Sequence, residues 1–443
     1  MQPSSPMMPV TYPPSPLKWL YVDFNSYFAS VEQQEQSRLR GKPVAVVPVE
    51  TDSTCAIAAS YEAKAFGIRT GTPIWEAKRL CRDLICVLAR HELYVDYHHR
   101  AIEEINRHIP VTEICSIDEM ASRLLRNEAQ PDVARHIGMA IKAGLSASLG
   151  PWVRCSIGIA SNKYLAKVAT DLQKPDGLTV LMPGEVERRL IMDLKPIDLP
   201  GIGRNMERRL RHQGVMSVAD IMVLDRRRMR HVWGNIWGER MWYLLRGYDL
   251  PEPETQRRSI GHSHVLGPAL RPPHEAINVA RRLTLKAAAR LRRMGYTATF
   301  FGFSARLEDG RRVRGEMRCR PAQDSLTFLS LMLHIWNRVV PQEPDVPVKK
   351  VSVVLLGLEL ADDRQPDLFD ALVVPEAEEG EPAQADISVP VARPMALSRA
   401  LDRLNHRFGR DTVLIGMLPS AGAGFSGSKI AFTRIPDREE FLE

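Results

Sequence analysis

Ser116-Ile117-Asp118-Glu119 places two adjacent carboxylates after a short apolar run, Val111-Thr112-Glu113-Ile114-Cys115. Neighbouring side chains on a strand point to opposite faces, so a tight bend or a strand end is needed to bring Asp118 and Glu119 to one cation. A third oxygen ligand has to come from elsewhere. The best candidate is Asp23, which ends the run Trp19-Leu20-Tyr21-Val22 just before Phe24-Asn25-Ser26-Tyr27-Phe28. Two strands ending in carboxylates suit Mg²⁺, which takes few protein oxygens and keeps places for substrate phosphates. The chemistry this predicts is phosphoryl transfer. Standing alone, an Asp-Glu pair would read as a solvated turn.

Other stretches supply what a phosphate substrate needs. The helix start after Asp23 offers the backbone amides of Phe24 to Phe28 to phosphate oxygens beside a metal. In Ser60-Tyr61-Glu62-Ala63-Lys64-Ala65-Phe66-Gly67, Ser60 caps a short helix that Gly67 ends. Tyr61 and Lys64 then share a face and can grip a triphosphate, although such i,i+3 pairs also occur on ordinary amphipathic helices. Lys174-Pro175-Asp176-Gly177 is a turn that brings a further cation within reach. Leu199-Pro200-Gly201-Ile202-Gly203 reads as a helix-hairpin-helix turn presenting amides to a nucleic-acid phosphate, with Arg204, Arg208 and Arg209 beside it; a plain interhelical turn is the alternative.

These residues need several elements to position them. The 443 residues, 44% of them hydrophobic, are enough for roughly three domains. Strands are expected at 19–23, 44–47, 55–59, 84–88, 153–160 and 178–181, with helices near 26–35, 94–107, 133–148 and 162–172, an α+β pattern. Short helices follow from Pro183 to about Arg246, and Pro251-Glu252-Pro253-Glu254 reads as a linker. A small α+β domain comes next, with a helix at 274–294. The 60 Lys+Arg against 53 Asp+Glu give +7, but 15 Lys+Arg against 4 Asp+Glu lie between Arg257 and Arg320, a local +11 that fits a DNA backbone. The six cysteines lack Cys-x₂-Cys spacing and are expected to be reduced core residues. No stretch is long enough for a bilayer span, and the Pro-rich first residues lack the apolar block of a signal peptide. Gln365-Pro366-Asp367-Leu368-Phe369 resembles a short docking peptide. The stretch 371–394 is Pro-, Ala- and Glu-rich, and Leu397 to Phe408 and Thr412 to Ile415 read as a helix and a strand.

In their order along residues 18 to about 370, these motifs resemble the Y-family translesion DNA polymerases, between DNA polymerase IV and the polymerase V catalytic subunit. Val22-Asp23-Phe24-Asn25-Ser26-Tyr27-Phe28 resembles the family's first metal motif, Ser116-Ile117-Asp118-Glu119 its second, and Ser60 to Lys64 its triphosphate motif. Ser161-Asn162-Lys163, the Lys174 turn, Pro-Gly-Ile-Gly and Arg258-Ser259-Ile260-Gly261 follow. The resemblance implies a right-hand polymerase of α+β multidomain class, with a ferredoxin-like palm (18–26 and 91–182), small fingers (27–90) and a helical thumb with a helix-hairpin-helix (183–250). A linker (251–257), an α+β little finger (258–361), a clamp-binding peptide (362–371), a second linker (372–394) and a C-terminal tail (395–443) complete it, after a Pro-rich tail (1–17).

It further implies catalytic Asp23, Asp118 and Glu119, and a metal set of Asp23, Phe24, Asp118 and Glu119 holding two Mg²⁺ ions. The substrate-binding residues would be Tyr27, Phe28 (as steric gate), Tyr61, Lys64 and Lys174. DNA would be held by Gly201, Gly203, Arg204, Arg258 and Ser259, and a sliding clamp by Gln365, Leu368 and Phe369. The partners implied are primer-template DNA, deoxynucleoside triphosphates and the clamp, with no membrane. A monomer, accessory subunits aside, acting in the cytoplasm at the nucleoid in SOS damage tolerance is expected, without proofreading. The chain departs from the family at Met120-Ala121-Ser122-Arg123 and at Asn25, where many members carry a second aspartate. A polymerase-like adaptor that has lost its chemistry is the alternative; the intact carboxylates argue against it.

Overall fold

The computed structural model describes residues 16–253, 256–341, 346–361, 392–409 and 412–417. They fall into two compact units, one ending at Pro253 and the other following it. The expected clamp peptide, the second linker up to residue 391 and most of both tails lie outside the described residues; residues 392–394, expected in that linker, begin a helix.

The first unit contains strands β1 (Trp19–Phe24), β2 (Val44–Val47), β3 (Ala58–Ala59), β4 (Ile85–Leu88), β5 (Glu113–Ser116), β6 (Glu119–Arg123), β7 (Cys155–Ala160) and β8 (Leu178–Val180). Five form a sheet in the order β5-β6-β1-β7-β8, and β3-β2-β4 form a smaller one. β1 is central and wholly buried, because its two-residue alternation feeds two cores. Leu20, Val22 and Phe24 join the core filled by helices His91–Asn106 and Pro131–Leu149. Trp19 and Tyr21 join the core of helix Lys163–Asp171 and the short helices beyond it. Met120 pairs with Val22 and is buried in the first of these cores, so the departure at 120–123 leaves the strand packed.

Helix Lys163–Asp171 lies unusually close to β7: a Cβ on Gly158 would stand 2.0 Å from the Ala166 carbonyl. Asn162 caps this helix by accepting the Leu165 N–H at 2.7 Å. Its amide also donates to the carbonyls of Leu244 and Tyr248 at 2.8 and 3.0 Å, tying the sheet to the helical segment from Val186 to Leu245.

The second unit is an antiparallel sheet in the order β11-β10-β12-β9, from β9 (Ser259–Val265), β10 (Tyr296–Leu307), β11 (Arg312–Ala322) and β12 (Val348–Leu360). Helices Pro273–Arg293 and Ser325–Val339 bury their apolar sides in its core. Helix Ala392–Phe408 joins them through a bidentate Arg292–Asp402 pair at 2.6 and 2.7 Å.

Three expectations fail. The strand at 55–59 shrinks to Ala58–Ala59, because Cys55 bridges Pro73 and the Ala56 amide donates to Thr72. Thr412 to Ile415 form no strand, since the Asn405 side chain takes both the N–H and the carbonyl of Val413. All six cysteines are free, but only Cys81 and Cys155 are buried; Cys55 and Cys86 are exposed, on loop and edge segments. Among the described residues no helix is long and apolar enough to cross a membrane.

Candidate active site

In the β1–β6 ladder Asp23 pairs with Glu119. Both lie in the alternation of Tyr21 and Ala121, which makes them direct cross-strand neighbours. Ile117-Asp118 is the turn between β5 and β6. The Phe24 amide donates to the Asp118 carbonyl at 2.9 Å, the Ser116 hydroxyl donates to Asp118 Oδ1 at 2.6 Å, and His98 Nδ1 lies 2.7 Å from the Ile117 carbonyl. The bend that the sequence required is therefore present. The three carboxylates line one open cleft of about 240 Å³, together with Phe24, Phe28, Ala58, Ala59, Lys64 and Lys174.

Sequence reasoning missed Lys167, whose ammonium contacts Asp23 Oδ2 and lies 2.6 Å from Glu119 Oε1. Its signal is the i, i+4, i+8 row Lys163, Lys167, Asp171 on an otherwise apolar helix. Burial opposes charge on Lys167, but Asp23, Glu119 and Asp171 outweigh it and hold its pKa above the usual lysine value. Lys174 Nζ reaches Asp23 Oδ2 and Asp171 Oδ1, both at 2.7 Å. Lys64 has a lowered pKa, from burial and then from the charge of Lys174.

Even with these cations, Asp118 is pushed up to about 6, first by burial and then by the fields of Asp23 and Glu119, against the Ser116 hydrogen bond. Among the described residues no three His, Cys, Asp or Glu side chains converge as a ligand group; an ammonium bridges two of the carboxylates instead. A hard-oxygen set that already draws in an ammonium fits divalent cations.

The remaining expected residues divide. The Phe28 ring stacks on Tyr94, centroids 4.3 Å apart and 14° from parallel. Tyr94 is fixed in turn by its hydroxyl on Glu32 at 2.8 Å, and Arg90 grips the same buried carboxylate. Tyr27 is buried with its hydroxyl on the Tyr94 carbonyl at 2.7 Å, so its side chain is core and its main chain faces the cleft. Tyr61 is not among the residues lining the cleft wall, but Lys64 Nζ stands 4.3 Å from its ring centroid, and after burial the charges of Asp23 and Asp171 raise the pKa of its hydroxyl. The expected run of free amides is shorter: Phe24 donates to Asp118 and Asn25 to Arg154, which leaves those of Ser26, Tyr27 and Phe28. Lys163 turns away to Glu113 and Glu252.

Gly201 takes φ +88, and nothing but the end of Met241 approaches within 4 Å of a Cβ built there, so the turn presents bare backbone ahead of helix Arg204–His212. In the second unit, Arg312, Arg314, Arg318 and Arg320 alternate as exposed residues along β11. Arg306 pairs with Arg312 on one side and Lys350 on the other, a basic row across three strands, and Ser259 is exposed on β9.

The impB/mucB/samB family profile matches residues 22–171, its C-terminal domain profile residues 257–368, and a DNA polymerase-iota thumb domain profile residues 197–249. The DNA polymerase IV of Xanthomonas axonopodis pv. citri is 32% identical over 284 residues, 63% of this chain and 78% of that relative. That of Alkalilimnicola ehrlichii is 29% identical over 344 residues, 77% and 95% of the two chains. DNA polymerase IV 2 of Mesorhizobium japonicum is 29% identical over 413 residues, 90% and 93%. Among solved structures, a Y-family DNA polymerase chimera of Dbh and Dpo4 shares the fold with a TM-score of 0.64 at 24% identity, covering 77% of this chain and 99% of its own. DinB from Sulfolobus solfataricus gives 0.50 at 23% identity, over 76% and 98%. The chain belongs to the Y family of translesion DNA polymerases and is a DNA-directed DNA polymerase.

Proposed function

We propose that this polymerase adds deoxynucleotides to a primer 3′ end by two-metal nucleotidyl transfer at the cleft of Asp23, Asp118 and Glu119. The observation that carries the reading is the register of Asp23 on Glu119 with Asp118 at the adjoining turn, faced by Lys64 and Lys174. Asp23, Asp118 and Glu119 would hold two Mg²⁺ ions, and Phe24, whose ring has no ligand atom, would add its carbonyl oxygen. Such ions, when bound, activate the attacking hydroxyl and stabilise charge on the transferring phosphate. Lys64 and Lys174 offset triphosphate charge directly, and the amides of Ser26 to Phe28 can donate to its oxygens. Tyr61 acts through Lys64, under which its ring lies. Phe28, held flat on Tyr94, would meet a ribose 2′-hydroxyl.

The domains would be those expected from the sequence: palm 18–26 and 91–182, fingers 27–90, thumb 183–250 and little finger 258–361. Gly201, Gly203, Arg204, Arg258 and Ser259 would bind DNA phosphates, with the basic row on β10 to β12 adding salt-dependent affinity without base readout. Two relatives of known structure are ternary complexes of Dbh DNA polymerase, which supports primer-template DNA and deoxynucleotides as substrates here. Gln365, Leu368 and Phe369 would engage a sliding clamp, and the enzyme would act as a low-fidelity monomer in cytoplasmic SOS damage tolerance. Ala58 and Ala59 at the cleft wall support a roomy site. Primer extension with Mg²⁺ tests the reading: wild-type protein extends a primed template and Asp118→Ala does not, whereas equal extension by both would overturn it.

A further inference from the structure

Asn25, two residues after Asp23, is 2% exposed and faces neither solvent nor the cleft. Its Oδ1 accepts the Asp176 N–H at 2.7 Å, and its Nδ2 donates to Ser156 Oγ at 3.0 Å. Ser156 Oγ also accepts the Gly177 N–H at 3.3 Å. One side chain at the end of β1 therefore holds two consecutive amides of the turn Lys174 to Gly177, directly and through one hydroxyl. That turn needs holding: Asp176 has φ +61, which a non-glycine residue adopts at a cost. Lys142 anchors its far side through the Asp176 carbonyl at 2.8 Å. At the near end, Lys174 reaches Asp23. Asp23 and Lys174 are thus joined twice, once by their own ion pair and once through Asn25.

We propose that Asn25 is the positioning residue for Lys174: it locks the turn so that the Lys174 ammonium meets the triphosphate beside the Asp23 carboxylate. This rests on the reading of Lys174 as a triphosphate contact. An amide suits the place because it presents a donor and an acceptor together, whereas a carboxylate offers acceptors alone. A carboxylate there would still accept the Asp176 N–H and could accept the Ser156 hydroxyl, but would add a buried charge two residues from Asp23. Alanine would leave the Asp176 amide without its acceptor in a partly buried place.

The test is a double-mutant cycle in primer extension, reading dNTP KM and kcat separately, with thermal melts to confirm folding. Asn25→Ala should raise KM about tenfold with kcat changed less than about threefold, the scale of one or two lost hydrogen bonds. Asn25→Asp should stay within about threefold of wild type in KM. Asn25→Ala combined with Lys174→Ala should be no worse than Lys174→Ala, because residues acting through one contact are non-additive. Should Asn25→Ala fail to fold, Ser156→Ala reads the same network and should raise KM in the same direction. Multiplying effects in the double variant, or a fall in kcat at unchanged KM, would overturn the positioning role while leaving Lys174 in place. An unchanged KM in Lys174→Ala would overturn the Lys174 contact and this role together.

Discussion

Glu119 stands directly across β1 and β6 from Asp23, and the ammonium of Lys167 contacts both carboxylates. Two acidic groups so placed repel one another unless a cation lies between them. Lys167 supplies that cation without metal, and divalent ions would compete for the same oxygens.

Lys167→Met should therefore weaken the metal-free protein by about 2 kcal/mol, since removing one partner of a partly buried pair leaves its counter-charge exposed to repulsion. The same variant should gain more in melting temperature from millimolar Mg²⁺ than wild type does. Thermal melts with and without the ion check this; equal metal-dependent shifts would remove Lys167 from the role.

Phe28 owes its orientation to the ring of Tyr94. Phe28→Ala should increase ribonucleotide incorporation relative to deoxyribonucleotide by more than about tenfold, on the scale of losing a contact worth above about 1.4 kcal/mol in discrimination. Tyr94→Phe keeps the stack but drops the bond to the buried Glu32, so it should cost about 1–2 kcal/mol of stability and leave sugar discrimination unchanged. Competitive incorporation assays and urea melts separate the two.

His98 donates to the Ile117 carbonyl and is held neutral by burial, its pKa lowered to about 4. The unfolded chain takes up this proton near pH 6.5 and the native state does not until about pH 4. Stability is thus lost as pH falls through that window, by up to about 3 kcal/mol. Asp118 works in the opposite sense: its raised pKa means the folded state binds a proton first, and stability is gained as pH falls through about 6. The difference between wild type and His98→Gln isolates the histidine: in urea melts at about pH 7 and about pH 4.5, on either side of the ordinary histidine pKa, the variant should lose less.

Gly158→Ala should drive helix Lys163–Asp171 away from β7, because its Cβ meets the rigid Ala166 carbonyl. A loss of about 3 kcal/mol or more is expected, the upper end for overpacking against backbone. A melting temperature within a degree or two of wild type would contradict the close approach.

Much of the site was legible from side-chain chemistry at strand and helix ends. Asp23, Asp118, Glu119, Lys64 and Lys174 all reach the one cleft, because each sits where a short apolar run or a capped helix stops. What the sequence concealed depends on distant packing. Tyr61 and Lys64 do share a helix face, yet which of them meets the cleft is set by how that helix rests on the β3-β2-β4 sheet. Lys167 reaches the carboxylates because Gly158 lets its helix close on β7. Of the two exposed cysteines, Cys55 lies in a loop and Cys86 on the edge strand β4, placements that hydropathy does not encode. The departure at Met120 proved to be a packed core position, and the one at Asn25 a buried hydrogen-bonding junction.

The central claim is that Asp23, Asp118 and Glu119 together perform the transfer step, and single-turnover nucleotide incorporation tests it most directly. With saturating dNTP and Mg²⁺ on a bound primer-template, Asp23→Asn, Asp118→Asn and Glu119→Gln should each lower the rate at least about a thousandfold, on the scale of a lost electrostatic contact to the transition state, with DNA affinity unchanged. Any of the three retaining more than about a tenth of the wild-type rate while binding DNA normally would contradict the account.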